Sequence, residues 1–124
     1  IYCVGGMQPQ GRTTTSVAVY HPEENRWTDG APLLGPPLDG FGASACACAG
    51  GLYVSTLSGS IQRLSADGRE WTFVAQNERP RFFHRMLPWQ DRRLILVGGA
   101  SMSTGKILPL DVWSTEPLGA TASR

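Results

Sequence analysis

Charge is scarce in this sequence. Only 17% of its 124 residues are charged, against about 25% in a typical soluble domain. Eleven basic and ten acidic residues leave a formal charge of +1, so no global field draws the chain to nucleic acid or to an anionic membrane. No apolar run approaches the ~18 residues that a membrane helix requires. The first residues, Ile1-Tyr2-Cys3-Val4, show no basic region followed by an apolar stretch and a cleavage site. They open without Met, inside a strand-like run, which reads as a piece of a longer protein.

Cysteine and histidine are also few. The three cysteines, Cys3, Cys46 and Cys48, are an odd number, which argues against a disulfide framework. Cys46 and Cys48 stand two apart in a strand-like run and so face one side, and neither belongs to a Cys-x-x-Cys metal pair. They are expected to be inert buried thiols of a reducing, cytosolic or nuclear compartment. His21 lies after a strand-like run, as a solvated turn residue, and His84 follows Phe82-Phe83 as a packed or edge residue. No Ser–His–Asp order, paired-carboxylate motif or Gly-rich phosphate loop ahead of a helix accompanies them. The expectation is therefore no catalytic residue, no cofactor and no metal, in a protein that is not an enzyme. No apolar pattern of helical period runs for ten residues, so essentially no helix is expected.

Glycine and proline are plentiful, at 15 and 9 residues, well above the roughly 12% of an average chain. That balance suits many short strands joined by tight turns. The chain also repeats itself. Ile1-Tyr2-Cys3-Val4-Gly5-Gly6 matches Leu94-Ile95-Leu96-Val97-Gly98-Gly99, and Leu52-Tyr53-Val54-Ser55-Thr56-Leu57 fills the same slot without the double glycine. Val17-Ala18-Val19-Tyr20 matches Ile61-Gln62-Arg63-Leu64 and Leu110-Asp111-Val112-Trp113. Tyr20 precedes Trp27 by the same interval that separates Leu64 from Trp71, and Tyr2 precedes Tyr20 by the interval between Ile95 and Trp113. Unit lengths of about 40–50 residues with several strands each are the mark of propeller blades. The glycine pairs let the chain leave a strand through conformations other residues resist. Trp27 and Trp71 are expected as buried plates between sheets, each costing about 3–5 kcal/mol on truncation to Ala. Gly50-Gly51, Asp67-Gly68 and Gln90-Asp91-Arg92 are expected as hairpin turns, the second as a two-residue turn.

The motif Val19-Tyr20-His21-Pro22-Glu23-Glu24-Asn25-Arg26-Trp27, with the Gly-Gly runs and Pro80-Arg81, resembles the kelch repeat. The resemblance implies an all-β fold of four-stranded antiparallel blades, an incomplete propeller of about 2.5–3 blades. It divides the chain into part of a first blade over 1–41, a second blade over 42–80, a partial third over 81–115 and a tail over 116–124, read as disordered or as a truncation scar. Three blades cannot close a ring that in similar kelch propellers has about six, so two apolar flanks are expected to lie exposed.

The resemblance implies a protein-interaction module, the substrate-recognition propeller of a cullin-RING ubiquitin ligase adaptor, with the cullin recruited through an upstream BTB domain. A cytoskeletal scaffold on actin is the alternative, and an enzyme of oxidase or epimerase type the third. The implied partner is a ubiquitination substrate or a cytoskeletal protein, with no nucleic acid and no membrane, in the cytoplasm or nucleus. In the family the Arg of Pro-Arg points into a central cup and holds acidic partner segments. Arg81 matches that position, and its truncation is expected to leave folding intact while weakening such a partner. At the preceding junction Pro37 stands in its place, with Asp39 nearby. The loops after the glycine pairs, Met7–Arg12 with Gln8 and Gln10, and Ala100–Gly105 with Ser101 and Met102, are the other partner-contact candidates. Arg79, Arg81, Arg85, Arg92 and Arg93 crowd one segment, but strand alternation is expected to split them between faces.

Overall fold

The computed structural model describes residues 1–106 and 109–116. The chain forms short antiparallel strands in sequence order: β1 (Tyr2–Val4), β2 (Val17–His21), β3 (Arg26–Gly30), β4 (Ser44–Cys48), β5 (Gly51–Ser55), β6 (Ser60–Leu64), β7 (Trp71–Gln76), β8 (Arg85–Trp89), β9 (Arg93–Val97), β10 (Ala100–Ser101), β11 (Gly105–Lys106) and β12 (Asp111–Ser114). The helical structure among the described residues is two single 3-10 turns, Pro9–Gly11 and Pro37–Gly40. Both begin at Pro, whose fixed φ suits the first position of such a turn. Residues 117–124 of the expected tail lie outside the described residues.

Three sheets result. The first has the order β1-β2-β3, the second β4-β5-β6-β7 and the third β12-β9-β8, while β10 and β11 make a small hairpin of their own. Each step is between sequence neighbours or across one loop, so the repeats found in the sequence each map to one sheet. The β4–β5 turn places Ala49 and Gly50 at φ 49° and 71°, the doubly left-handed form whose twist matches the flanking strands. Asp67-Gly68 does not form the expected two-residue turn. The Ser65 amide bonds the Glu70 carbonyl at 2.8 Å, so the loop spans residues 66–69. Within it the Asp67 carboxylate accepts from the Ser65 hydroxyl at 2.6 Å and the Arg69 amide at 3.1 Å. That polar clasp stabilises a wider loop than the dipeptide alone requires.

Two apolar clusters glue the sheets together. Val17 and Leu33 from the first repeat meet Val54, Leu64 and Trp71 from the second. Cys48, Tyr53 and Ile61 from the second meet Met86, Leu94 and Leu96 from the third. Each strand of the middle sheet alternates sides, so Val54 feeds one cluster and its neighbour Tyr53 the other. Trp71 is buried, and its indole Nε1 donates to the Ala31 carbonyl at 2.8 Å. Trp27 was expected in the same role but is 58% exposed. It pairs with Tyr20 across the first sheet, on the side opposite Val17. No sheet among the described residues covers that side, and the ring packs on Tyr20, centroids 4.9 Å apart. Trp113 is half-buried against the cluster formed with Leu94.

Candidate functional site

The antiparallel register gathers one set of loops at one end of the sheets. At that end β1, β5 and β9 finish and β4, β6, β8 and β12 begin. Here the glycine pairs act. Gly5 sits at φ 64° with no room for a Cβ against the Gly40 carbonyl, and Gly99 at φ 85° lies where a Cβ would meet the Phe82 carbonyl at 2.6 Å. Glycine therefore lets each loop lie directly on the linker that leads into an inner strand. The Gly6 amide bonds the Gly40 carbonyl at 2.8 Å, and Phe82 and Ala100 exchange backbone bonds at 2.9 and 3.0 Å. In the middle sheet Thr56-Leu57 replaces the pair, and the buried Thr56 hydroxyl bonds the Ser60 hydroxyl at 2.6 Å.

Two of the candidate partner-binding residues are spent inside the protein. Arg81 does not reach a cup: it is 1% exposed. Its guanidinium donates to the carbonyls of Gly98 at 3.1 Å and Pro109 at 3.0 Å and pairs with the Asp111 carboxylate. Arg79 grips the other oxygen of Asp111. Burial alone would raise the Asp111 carboxyl, but the two arginines outweigh it and hold it below the usual carboxylate range. Asp39 is also buried. Its carboxylate accepts from the Ser58 amide at 3.1 Å and the Ser58 hydroxyl at 3.0 Å, clamping the β5–β6 loop to the linker. The physical reason is common to both: a charge beside tightly packed linkers is stabilised by fixed donors and acceptors and is then unavailable to a partner.

The other candidates stay on the surface. Gln8 and Gln10 are exposed in the Met7–Thr13 loop. Ser101 and Met102 lie in the β10–β11 hairpin, where the Ser101 hydroxyl bonds the Thr104 hydroxyl and amide. Met102 is exposed and, with Leu57, Pro80, Phe82, Ser101 and Lys106, lines an open cavity of about 650 Å³. Gln8 and Gln10 do not line it. Beside it Phe83 packs edge to face on Phe41 and Phe82, and those two rings are tilted on each other, with centroids 5.0–5.6 Å apart. Phe83 is 63% exposed and sits at φ 55°, a left-handed conformation unusual for a bulky residue. The residues thus brought together are Ser101 and Met102 with a phenyl cluster that sequence reasoning did not single out. The run Phe82-Phe83 between Arg81 and His84 was the available signal.

The basic segment divides between the two ends of the third sheet, not between its faces as strand alternation suggested. Arg79 and Arg81 join Asp111 at the loop end, while Arg92 and Arg93 lie in and after the turn at the opposite end of β8, Arg93 over the Trp89 ring at 5.3 Å. His21 bonds the Thr28 hydroxyl at 2.8 Å within the first sheet. Burial, and then the neighbouring Cys48, pushes the Cys46 thiol up to about 11, and Cys48 is raised as well, so neither is a thiolate nucleophile at neutral pH. No cluster of three or more His, Cys, Asp or Glu among the described residues is placed to hold a metal ion. No helix among them is long and apolar enough to cross a membrane.

His84 is 1% exposed, and neither ring nitrogen has a hydrogen-bond partner. Burial, then Arg81 and Arg85, lowers its pKa to about 4 from 6.5. The unfolded chain therefore binds the proton first as pH falls. His84 costs no stability above pH ~6.5 and drains it progressively between about 6.5 and 4. The loss expected over that window is about 3 kcal/mol, since each unit of pKa difference is worth about 1.4 kcal/mol and the ring is enclosed. Denaturant midpoints measured across it should fall for the wild type and stay flatter for His84→Gln. Equal slopes would show that the ring is not the proton acceptor.

A family model described as Kelch motif matches residues 1–34. A solved structure titled "Structure of YjhT", a kelch-type β-propeller, aligns with a TM-score of 0.71 over 91% of this chain at 16% identity. The fold is that of kelch propeller blades. The chain spans 42% of the length of that solved relative, and 88 solved chains match significantly. No curated protein sequence does. In kelch terms the middle sheet is a four-stranded blade with β4 innermost and β7 outermost, and the cavity lies between its β5–β6 loop and the corresponding loop of the third sheet. One kelch slot escaped sequence reasoning. Gln62 and Asp111 occupy the same repeat position, and each ties its strand to the linker leading into its own blade. Gln62 does so through paired bonds to the Leu34 amide and carbonyl, both 2.9 Å, and Asp111 through Arg79 and Arg81. A polar residue in an otherwise apolar strand was the signal.

Proposed function

We propose that this chain is a protein-interaction module that holds its partner at the loop end of the blades. The observation that carries this reading is the exposed phenyl of Phe83, kept in a left-handed backbone conformation beside the cavity lined by Phe82 and Met102. Such a conformation costs on the order of 1–3 kcal/mol and persists where the surroundings or a function demand it. A large apolar surface at the end of a rigid scaffold fits an anchor side chain of a bound protein. With Arg81 and Asp39 internal, capture rests on apolar contact and on the uncharged loop residues Ser101, Gln8 and Gln10.

The finer reading is that the captured protein is a ubiquitination substrate, presented to a cullin through a BTB domain of the parent polypeptide. The resemblance of the Val19–Trp27 stretch to kelch-like adaptors supports it. Affinity capture from lysate with the parent polypeptide tests both levels. One dominant partner should be retained with a cullin, and Met102→Glu or Phe83→Ser should reduce that partner at least tenfold while the fold stays intact. Retention unchanged by both substitutions removes the loop-end reading. Filament proteins without a cullin replace the ligase reading with a scaffold.

A further inference from the structure

Three successive residues of the linker into β8 are fixed by different means. Phe82 exchanges backbone bonds with Ala100 at 2.9 and 3.0 Å, and the Phe83 amide donates to the Gly42 carbonyl at 2.8 Å. The His84 side chain is held by enclosure alone. It is 1% exposed, and neither ring nitrogen has a hydrogen-bond partner among the described residues. Met86 faces the middle sheet, and alternation turns His84 toward the same seam. Across it stand Ser44 and Ser55, paired on the middle sheet, with the Ser44 hydroxyl already accepting from the Met86 amide at 2.8 Å. Gly99 packs against the stem of the imidazole, where a Cβ would lie 2.8 Å from the His84 Cβ. Phe83, between two fixed neighbours, is turned outward at φ 55°.

We propose that His84 is the positioning residue for Phe83: its ring, seated in the seam, holds the phenyl outward, and its protonation frees the phenyl cluster from the loop end. The charges that reach the ring are Arg81 in the linker and Arg85 on β8, both cationic. The Asp111 carboxylate on β12 is taken up by Arg79 and Arg81. The middle sheet presents the uncharged Ser44 and Ser55, and the Cys46 thiol on the same seam stays neutral as pH falls. Gly98, Gly99 and Ala100 bring no charge. An imidazolium here has two unshared N–H donors, two cations near it and no unpaired carboxylate against it among the described residues, so it is better stabilised in water than in the seam. Its departure removes one of the two neighbours that fix the Phe83 backbone, and the left-handed conformation is no longer over-determined. Release of a partner on acidification is the functional consequence, and it rests on the loop-end reading above.

The chain has four phenylalanines, so labelling with 4-fluorophenylalanine gives four fluorine resonances, assigned through Phe41→Leu, Phe73→Leu, Phe82→Leu and Phe83→Leu. Phe41, Phe82 and Phe83 share the cluster, and Phe73 on β7 serves as the control. As pH falls from 6.5 to about 4, the three cluster resonances are expected to move through one common midpoint while Phe73 holds its place. His84→Gln and His84→Leu, neither of which titrates, should abolish the movement, each first shown to be folded by circular dichroism at neutral pH. Cluster resonances that stay fixed in the wild type, or that move equally in either folded variant, overturn the coupling. Movement of all four together reports global unfolding and overturns a local release. If the cluster moves as expected but Met102→Glu and Phe83→Ser leave partner capture unchanged, the coupling stands and the loop-end reading falls.

Discussion

Arg81→Ala is expected to lower folding stability by about 3–5 kcal/mol, the range for removing one partner of a buried ion pair. The side chain is fully enclosed, and its guanidinium serves the carbonyls of Gly98 and Pro109 as well as Asp111. Truncation leaves those carbonyls without donors and opens a cavity where the linker meets the third sheet. Asp111 keeps Arg79, so Asp111→Ala should be no milder: it strands the enclosed Arg81 charge. Arg81→Lys should recover only part of the loss, because an ammonium cannot span carbonyls and carboxylate together. Urea denaturation gives the comparison through the shift in midpoint at constant slope. Wild-type stability in Arg81→Ala, with weakened binding of an acidic partner, would return this residue to the surface role that its Pro-Arg context suggested.

Trp71→Ala is expected to cost a similar about 3–5 kcal/mol, whereas Trp27→Ala should cost less than about 1 kcal/mol. The two residues follow near-identical repeat spacing, yet Trp71 is enclosed between sheets and hydrogen-bonded to Ala31, while Trp27 rests on Tyr20 in contact with solvent. Comparison of the variants by the same denaturation isolates the difference. Equal losses would mean that Trp27 is covered in the folded molecule. Trp71→Phe should recover most of the apolar contact but not the indole bond, leaving about 1 kcal/mol of the deficit.

The architecture was legible because it is written in local patterns. Strand-ending Gly-Gly, the matched Tyr-to-Trp spacing and two-residue alternation are properties of neighbouring residues, and each corresponds to one sheet. Burial is not local. Whether a tryptophan at a given repeat position is covered depends on the next sheet, and the sequence around Trp27 carries no information about that. The same limit hid the fate of Arg81. Its carboxylate partner lies 30 residues away on β12, and a motif that places the arginine says nothing of what it meets. Asp39 was singled out for its place at a junction, but its partner Ser58 is supplied by a loop of the next blade. The phenyl cluster joins Phe41 to Phe82 and Phe83 across two successive linkers, a juxtaposition created only when the inner strands line up side by side. At Asp67-Gly68 the dipeptide's own turn preference is overridden by Ser65, whose hydroxyl accepts from the Arg69 and Glu70 amides and widens the loop.

The middle sheet contributes side chains to both apolar clusters, whereas each outer sheet contributes to one. Stability in such a stack is carried by nearest-neighbour coupling. Opening an outer sheet breaks one coupling and leaves the other two sheets engaged, so amides of β3 and β12 should exchange with solvent through partial openings. Amides of β5 and β6 should exchange only when the entire stack comes apart. Cooperativity in this protein therefore resides in its centre: a lesion there uncouples everything, and a lesion at either end propagates no further than the adjoining seam.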